Sequence, residues 1–456
     1  MIDTNLQNFL PDLKEVENLF ADGGEFKIRH RFSASENKFV NTVTINGQTY
    51  AYGNYVGKIE DELLNKRLTK RYAKLSLYKA LVKVTGKNMP WGALTGIRPT
   101  KLAYQQIEKE GEFEDFFTSV MQVSKEKTAL TKAVLDSQKG YYEKNDDNTD
   151  LFVFIPFCPT RCKYCSFISQ DLKHAGKFVD QYVDALVKEI RASASLIKNL
   201  RSIYVGGGTP VSIPDEKLIM ILEEISKINT GVEFTVEAGR PDAINENNLK
   251  ILKDYGVTRI CVNPQTFCDR TLKILGRNHT SQDIYKAYEL AKGKFDINMD
   301  LIAGLQGETF SDFENSLNSA ISLNPENITV HTLCVKKGSS LAEETHRLSA
   351  GEVEKMVNFA HERLANAGYS PYYLYRQKYM AGNLENTGYA KAGKQCLYNV
   401  SIMEEVSQNV ACGANAVSKR VFNGGERIER LASPKDIQTY LAKLDKIIED
   451  KQKFYK

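Results

Sequence analysis

Short apolar runs and helical periods alternate between residues 151 and 335. LFVFI at 151–155, bounded by Asp150 and Pro156, reads as a buried strand. Five similar runs follow: SIYVGGG, EFTVEA, TRICVNPQ, FDINMDLI and NITVHTLCV. Helical periods separate them. The first places Phe178, Val179, Tyr182, Val183, Leu186, Val187, Ile190, Ala194 and Ile197 on one face. Ser311-Asp312-Phe313-Glu314 has the capping-box spacing and is expected to open another helix. One strand and one helix in about thirty residues predict parallel strands joined by right-handed crossovers. Six units are too few for a closed eight-stranded barrel. The expected fold is therefore α/β, a partial (β/α)6 TIM-like barrel with an open lateral mouth.

The flanking regions have other patterns. In residues 1–145, FKIRHRF and KFVNTVTINGQTYAY read as strands, the second broken at Asn46-Gly47, a strong hairpin signal. A helix with Leu64, Leu68, Tyr72, Leu75 and Val82 as its apolar stripe comes next; Lys66, Arg67, Lys70, Arg71 and Lys74 read as its solvated face. The polar run NDDNTD at 145–150 is a natural linker into the barrel of 151–335. From 350 to 456 a helix with Val353, Met356, Val357, Ala360 and Leu364 on one face leads into YSPYYLYRQKY, a strand or edge segment. A helical tail carrying Ile437, Tyr440, Leu441 and Leu444 closes the chain. An N-terminal α+β domain and a C-terminal α+β extension thus bracket the barrel.

At 456 residues the chain has room for two or three domains. A net charge of +4 is too mild to argue for nucleic acid or a membrane surface. No run of about 18 apolar residues predicts a membrane span, and MIDTNLQNFLPDLKEVENLF lacks the basic start of a secretory signal. Eight cysteines in a chain of this length are no disulfide scaffold and suit a reduced, cytoplasmic setting.

Three of those cysteines carry the chemistry. Cys158, Cys162 and Cys165, in FVFIPFCPTRCKYCSF, have C-x3-C-x2-C spacing on the loop that leaves the first strand. Structural zinc sites use four ligands in paired hooks. The common ferredoxin run has C-x2-C-x2-C with a further cysteine followed by proline. The spacing here matches neither, and supplies three thiolates to a cubane 4Fe–4S cluster with one iron left open. In barrels of parallel strands the chemistry sits on the loops after the strands. The other five cysteines, Cys261, Cys268, Cys334, Cys396 and Cys412, lack ligand spacing and read as small buried hydrophobes. Cys334, after the sixth strand, is also counted with the cofactor-facing residues.

This motif, with GGGTP (206–210), LGRNHT (275–280) and NMDLIAGL (298–305), resembles the radical S-adenosylmethionine (SAM) superfamily in its HemN-like branch. WGALTGIRPTKL (91–102), RQKYMAGNLENTGYAKAGKQCLYN (376–399) and GANAVSKRVF (413–422) resemble the HemZ group of that branch, oxygen-independent coproporphyrinogen III oxidases or dehydrogenases. The resemblance implies that SAM binds the open iron and is cleaved to methionine and a 5′-deoxyadenosyl radical. It further implies a flavodoxin- or ferredoxin-type electron donor. Gly207, Gly208 and Thr209 match the turn that binds SAM's amino group. Glu237, Gln265, Arg277 and Asp300 match other SAM contacts, Tyr164 an aromatic on the adenine, and Phe152 an aromatic near the sulfonium.

The implied reaction converts two propionates of coproporphyrinogen III to vinyl groups, which calls for cations around a wide apolar slot. Arg98, Lys101, Arg376, Lys378, Lys391 and Lys394 are candidates, and Arg376, set among tyrosines, is the leading one. His331 is expected near the barrel interior, packed or catalytic. The chain departs from the family's Y-x-H-I-P-F-C at Phe152 and Phe154, and Phe167 stands where HemN has a further cysteine. A haem-binding or haem-transfer protein of HemW type, or a radical enzyme on another tetrapyrrole, remains an alternative reading.

Overall fold

The computed structural model describes every residue except 21–23, 97, 166–168, 335–348 and 378–379; Phe167 and Lys378 therefore lie outside the described residues. The chain forms two compact units, 1–132 with 376–384, and 133–375 with 385–456.

In the first unit, β1 (Ile2–Thr4) pairs parallel with β2 (Ile28–Ser35), which continues antiparallel into β3 (Lys38–Ile45) and β4 (Gln48–Tyr55). Asn46 and Gly47 take φ of +50° and +91°, the left-handed pair that joins β3 to β4 in a tight hairpin. Helix Glu62–Thr85 packs against this sheet, opened by the Asp61 carboxylate on the Leu63 and Leu64 N–H groups and closed by Gly86 at φ +69°. Of the expected stripe, Leu75 is buried and Leu68, Tyr72 and Val82 are half-buried. Leu64 is exposed, and burial begins at Thr69 and includes Leu77, Tyr78, Ala80 and Leu81. The first two turns of the helix are exposed, which a periodicity count along one stripe cannot show. Lys70 and Lys74 pair with Asp12 and Glu15 at 3.5 and 3.9 Å.

The core of this unit holds one neutral histidine. Thr4 Oγ1 and Asn41 Oδ1 each lie 3.0 Å from a ring nitrogen of His30, which is buried on β2. Burial, against the help of Asn41, holds the imidazole pKa below 6.5.

The second unit is built on β5 (Asn148–Ile155), the two-residue pair β6 (Phe157–Cys158) and β7 (Gln170–Asp171), then β8 (Asn199–Gly207), β9 (Glu233–Gly239), β10 (Arg259–Val262), β11 (Asp296–Ala303) and β12 (Asn327–Thr332). β5, β8, β9, β10, β11 and β12 are the six expected parallel strands, adjacent in sequence order. The later part of the chain extends the same sheet. β13 (Ser370–Tyr375) and β14 (Asn386–Ala390) lie antiparallel beyond β12. At the other side β15 (Gln408–Cys412) runs parallel to β5 and carries the antiparallel strands β16 (Val417–Phe422) and β17 (Arg427–Ala432).

Pleating sends alternate residues of each strand to opposite faces. Leu151, Val153, Ile203, Val205, Phe234, Val236, Ile260, Ile297 and Met299 face the helices and form the main core with Tyr182, Leu186, Leu218, Leu249 and Ile284. Phe152, Phe154, Tyr204, Glu237, Asn298, Asp300 and His331 occupy the alternate positions, facing away from those helices. One helix opens differently from expectation. Thr309, not Ser311, caps Phe310–Leu323, its side chain accepting from Asp312 N–H while the Asp312 carboxylate accepts from Thr309 N–H at 2.8 Å. Thr309 is still extended, whereas Ser311 already has helical neighbours on both sides.

The C-terminal helix Leu444–Tyr455 is held from inside. Lys451 Nζ meets Glu189 Oε1 at 2.6 Å, both side chains almost completely buried, and also donates to Ala411 O. The Glu189 carboxylate further accepts from Tyr440 Oη and Gly413 N. Removing one partner of such a pair costs about 3–5 kcal/mol.

His30 supplies a pH test. Because folding depresses its pKa, its contribution is complete above the unfolded value near 6.5 and is lost as pH falls through the lower folded value. Thermal melts of the chain should show the first unit losing stability below about pH 6.5. In His30→Gln this acid-side loss should shrink. An unchanged pH profile in that variant would contradict the assignment.

Candidate functional site

The residues expected around the cofactors converge where the six parallel strands end. β5 delivers the chain to Cys158, and three contacts from other loops hold the cysteine segment. Arg240 Nη1 donates to Thr160 O at 3.2 Å and Thr160 Oγ1 at 2.5 Å. Lys163 N donates to Leu275 O at 3.0 Å, and Arg277 Nη1 to Tyr164 Oη at 2.9 Å. Arg277 also reaches Cys162 Sγ at 3.9 Å and Asn263 O at 2.6 Å. Thr209 Oγ1, after β8, lies 3.6 Å from Cys158 Sγ. Burial raises the Cys158 thiol pKa, opposed by Thr209 and Ser169 and reinforced by Cys165 and Cys162.

Arg240, Asp242 and His279 escaped the sequence reading. Arg240 Nε and Nη2 grip Asp242 Oδ1 and Oδ2 at 2.9 and 2.6 Å, with the Arg240 side chain 4 % exposed. His279 Nδ1 lies 3.4 Å from Asp242 Oδ1. Burial opposes charge on Asp242, yet His279 and the two-pronged Arg240 hold it well below the usual carboxylate range. The signal was present: Arg240-Pro241-Asp242 directly follows β9, and His279 sits inside LGRNHT.

The glycine turn is required by the protein's own packing. A Cβ on Gly207, at φ +108°, would stand 2.6 Å from the Phe154 ring, and one on Gly208 would strike Phe157 O. A Cβ on Gly206 would meet the Glu237 carboxyl carbon at 2.9 Å. Gly208 N and Thr209 N are spent on Ile155 O and Phe157 O, each at 2.7 Å. Phe154, where the family has histidine, packs with Ala411 and Ala416.

The polar residues of β8, β9, β11, β12 and β13 form two groups, Tyr204 with Glu237, and Asn298, Asp300 and His331 with Tyr375. Tyr204 Oη donates to Glu237 Oε1 at 2.6 Å. Asn298 Nδ2 donates to Asp300 Oδ1 at 2.8 Å. His331 Nε2 stands 3.7 Å from Asp300 Oδ2, and Tyr375 Oη 3.5 Å from His331 Nδ1. Burial raises Glu237 to about 7; Asp300 adds to the shift, while Tyr204, the Gly207 N–H and His331 oppose it. Gln265, at φ +67°, is pinned to β11 through Gln265 N to Asp300 O and Ile302 N to Gln265 O.

The remaining candidates lie elsewhere. Arg376 belongs to the first unit, 2 % exposed, its guanidinium 5.3 Å from the Trp91 ring centroid and hydrogen-bonded to Leu94 O and Asn383 O. Lys394 pairs with Asp296 at 2.7 Å and Lys391 donates to Asn324 O, both beside the opposite ends of the parallel strands. Cys334 is partly exposed just beyond β12. Cys261, Cys396 and Cys412 are buried.

Among the described residues no three His, Cys, Asp or Glu side chains converge as a single metal ion would require. A cubane sets a lesser demand, since each thiolate binds a different iron. Three partly exposed thiols on one short loop, with the Arg277 guanidinium beside Cys162, fit such an anionic cluster. Arg277 Nε and Asn263 Oδ1 are buried with no hydrogen-bond partner, polar atoms that a ligand at this site would satisfy.

The comparisons agree with this geometry. The Radical SAM superfamily profile matches residues 152–320. "Oxygen-independent coproporphyrinogen-III oxidase-like protein HemZ" of Bacillus subtilis (strain 168) is 34% identical over 97% of this chain and 94% of its own length. Two proteins named "Heme chaperone HemW" are similar over less. The one from B. subtilis is 36% identical over 41% of this chain and 50% of its own length. That of Haemophilus influenzae is 30% identical over 64% and 75%. The solved structure of coproporphyrinogen III oxidase (HemN) from Escherichia coli shares the fold, with a TM-score of 0.54 at 21% identity over 70% of this chain and 72% of that one. The chain belongs to the radical SAM superfamily. Within it, the match over 97% of the chain sets it in the HemN-like branch, whose chemistry implies a 4Fe–4S cluster and SAM. Among the described residues no helix is long and apolar enough to cross a membrane.

Arg240 tests the grip on the cysteine loop. In Arg240→Ala, alkylation of Cys158, Cys162 and Cys165 in the cluster-free protein should accelerate and iron content after anaerobic reconstitution should fall. Arg240→Lys should recover part of both. Unchanged alkylation rates in Arg240→Ala would refute the clamp.

Proposed function

We propose that this chain is a radical SAM oxidoreductase of the coproporphyrinogen dehydrogenase type, oxidatively decarboxylating two propionates of coproporphyrinogen III to give protoporphyrinogen IX in anaerobic haem synthesis. The observation that carries this reading is the likeness, over almost the whole chain, to the protein named as coproporphyrinogen-III oxidase-like. When bound, the cluster and SAM supply the radical that removes hydrogen from an unactivated carbon.

The chain's own residues then have positioning tasks. Cys158, Cys162 and Cys165 hold the cluster and leave one iron for SAM. With the N–H groups of Gly208 and Thr209 already bonded, the turn around Gly207 offers carbonyl oxygens, the right partners for an amino group. Arg277 pairs a carboxylate, Glu237, Gln265 and Asp300 take hydroxyls, and Tyr164 packs an adenine ring. Phe152 keeps an aromatic face near the sulfonium, and Cys334 borders the same space. A flavodoxin- or ferredoxin-type protein delivers the electron in the cytoplasm.

The haem chaperones among the relatives favour a second reading, in which the chain binds and passes on haem. One experiment separates the two. The protein is reconstituted anaerobically with iron, sulfide, SAM and a reductant, then given coproporphyrinogen III. Protoporphyrinogen detected by mass is the expected result. 5′-Deoxyadenosine without vinyl product would overturn the substrate and keep the radical class, whereas stoichiometric haem binding without turnover would support the carrier. Cys162→Ala should lose the brown cluster absorbance; full cluster content in that variant would contradict the ligand set.

A further inference from the structure

Three features meet at Tyr204. Its hydroxyl donates to Glu237 Oε1 at 2.6 Å. Its ring stacks on Tyr398, with centroids 4.4 Å apart and planes 23° from parallel. Phe152 completes the group, 6.2 Å from Tyr204 and 6.0 Å from Tyr398. Burial keeps the Tyr204 phenol protonated far above neutrality, so it loses an electron readily only if its proton leaves at the same time. A carboxylate at 2.6 Å is within reach to take that proton, and a stacked ring stabilises the electron-poor product.

We propose that Tyr204, with Glu237 as its proton acceptor, is a redox-active side chain that reduces a carbon-centred radical in the barrel interior and carries the unpaired spin on its ring against Tyr398. The Tyr204 O–H bond breaks. Its electron reduces the carbon radical, and its proton passes to Glu237 and from there to the carbon. One C–H bond forms, Glu237 returns to the carboxylate, and a neutral tyrosyl radical remains, a net transfer of one hydrogen atom. The family's chemistry supplies carbon radicals; the proposal needs that class and not the porphyrinogen substrate. A radical formed with no substrate in place then ends on Tyr204 instead of on the backbone around it.

The groups facing Glu237 are Tyr204 and the Gly207 N–H from β8, the Cys261 thiol from β10, Asp300 from β11, His331 from β12, and Tyr398. Glu237 accepts the proton only as the carboxylate, so the relay strengthens as pH rises through about 7.

The test uses the 456-residue chain without cluster or SAM, oxidised by flash-generated tris(bipyridine)ruthenium(III) and followed by tyrosyl absorbance and EPR. The wild-type chain should hold a long-lived tyrosyl radical whose lifetime lengthens as pH rises through about 7. Tyr204→Phe should lose that long-lived fraction and keep only short-lived signal from exposed rings such as Tyr55; Tyr55→Phe should match the wild type. Glu237→Gln should shorten the lifetime and flatten its pH profile. Should Tyr204→Phe fail to fold by circular dichroism, decay of the wild-type radical in D2O decides, and the proposal requires it to be slower than in H2O. Wild-type yield and lifetime in Tyr204→Phe, an unaltered pH profile in Glu237→Gln, or no solvent isotope effect would each overturn it. Since neither SAM nor porphyrinogen is present, failure here leaves the substrate reading standing, and the reverse also holds.

Discussion

The pleat of six parallel strands is the constraint on which the rest of the second unit depends. Each strand spends every other residue on the helix-facing core, where Val153, Val205, Val236, Ile260 and Met299 are buried. The intervening positions are released from that duty and carry Phe152, Tyr204, Glu237, Asp300 and His331. Parallel register brings them to the same end of the sheet, because each strand leaves its chemistry at its C-terminal edge. Fold and site are therefore one arrangement seen from its two faces.

The cysteine loop is held by contacts from several other segments. Its backbone and side chains are held at Thr160, Lys163 and Tyr164 by groups from after β9 and β10. Arg240 and Arg277 place positive charge beside the three cysteines, and Asp242 with His279 keeps Arg240 in orientation. The glycine turn has an equally local cause. Gly207 and Gly208 are dictated by Phe154 and Phe157 O before any ligand is considered. Phe154 in place of histidine belongs to that same packing, and the family's polar group at this point is exchanged for an apolar contact with Ala411 and Ala416.

The segment after residue 370 is where sequence likeness and position diverge most. Its strands join the barrel sheet at both sides, and Cys396, Leu397 and Tyr398 are tied to Glu233 on β9 by hydrogen bonds of 3.0–3.2 Å. Tyr398 thereby becomes part of the interior aromatic group. Arg376 falls in the stretch that belongs to the first unit, where Trp91 and two carbonyl oxygens surround its guanidinium.

What the chain determined by itself was everything with a local period or a local spacing. The six parallel strands, the Asn46-Gly47 hairpin, the helix over Val353–Leu364 and the C-x3-C-x2-C loop are all readable from short windows, because pleat, helix pitch and ligand spacing act over a few residues. Which helix face is buried, as between Leu64 and Leu81, needed the partner surface. The contacts Arg240–Thr160, Tyr204–Glu237 and Glu189–Lys451 span 80, 33 and 262 positions, and only tertiary structure could decide them. A side chain's chemistry is written in its residue type, but its partner across the fold is set by how distant segments close upon one another.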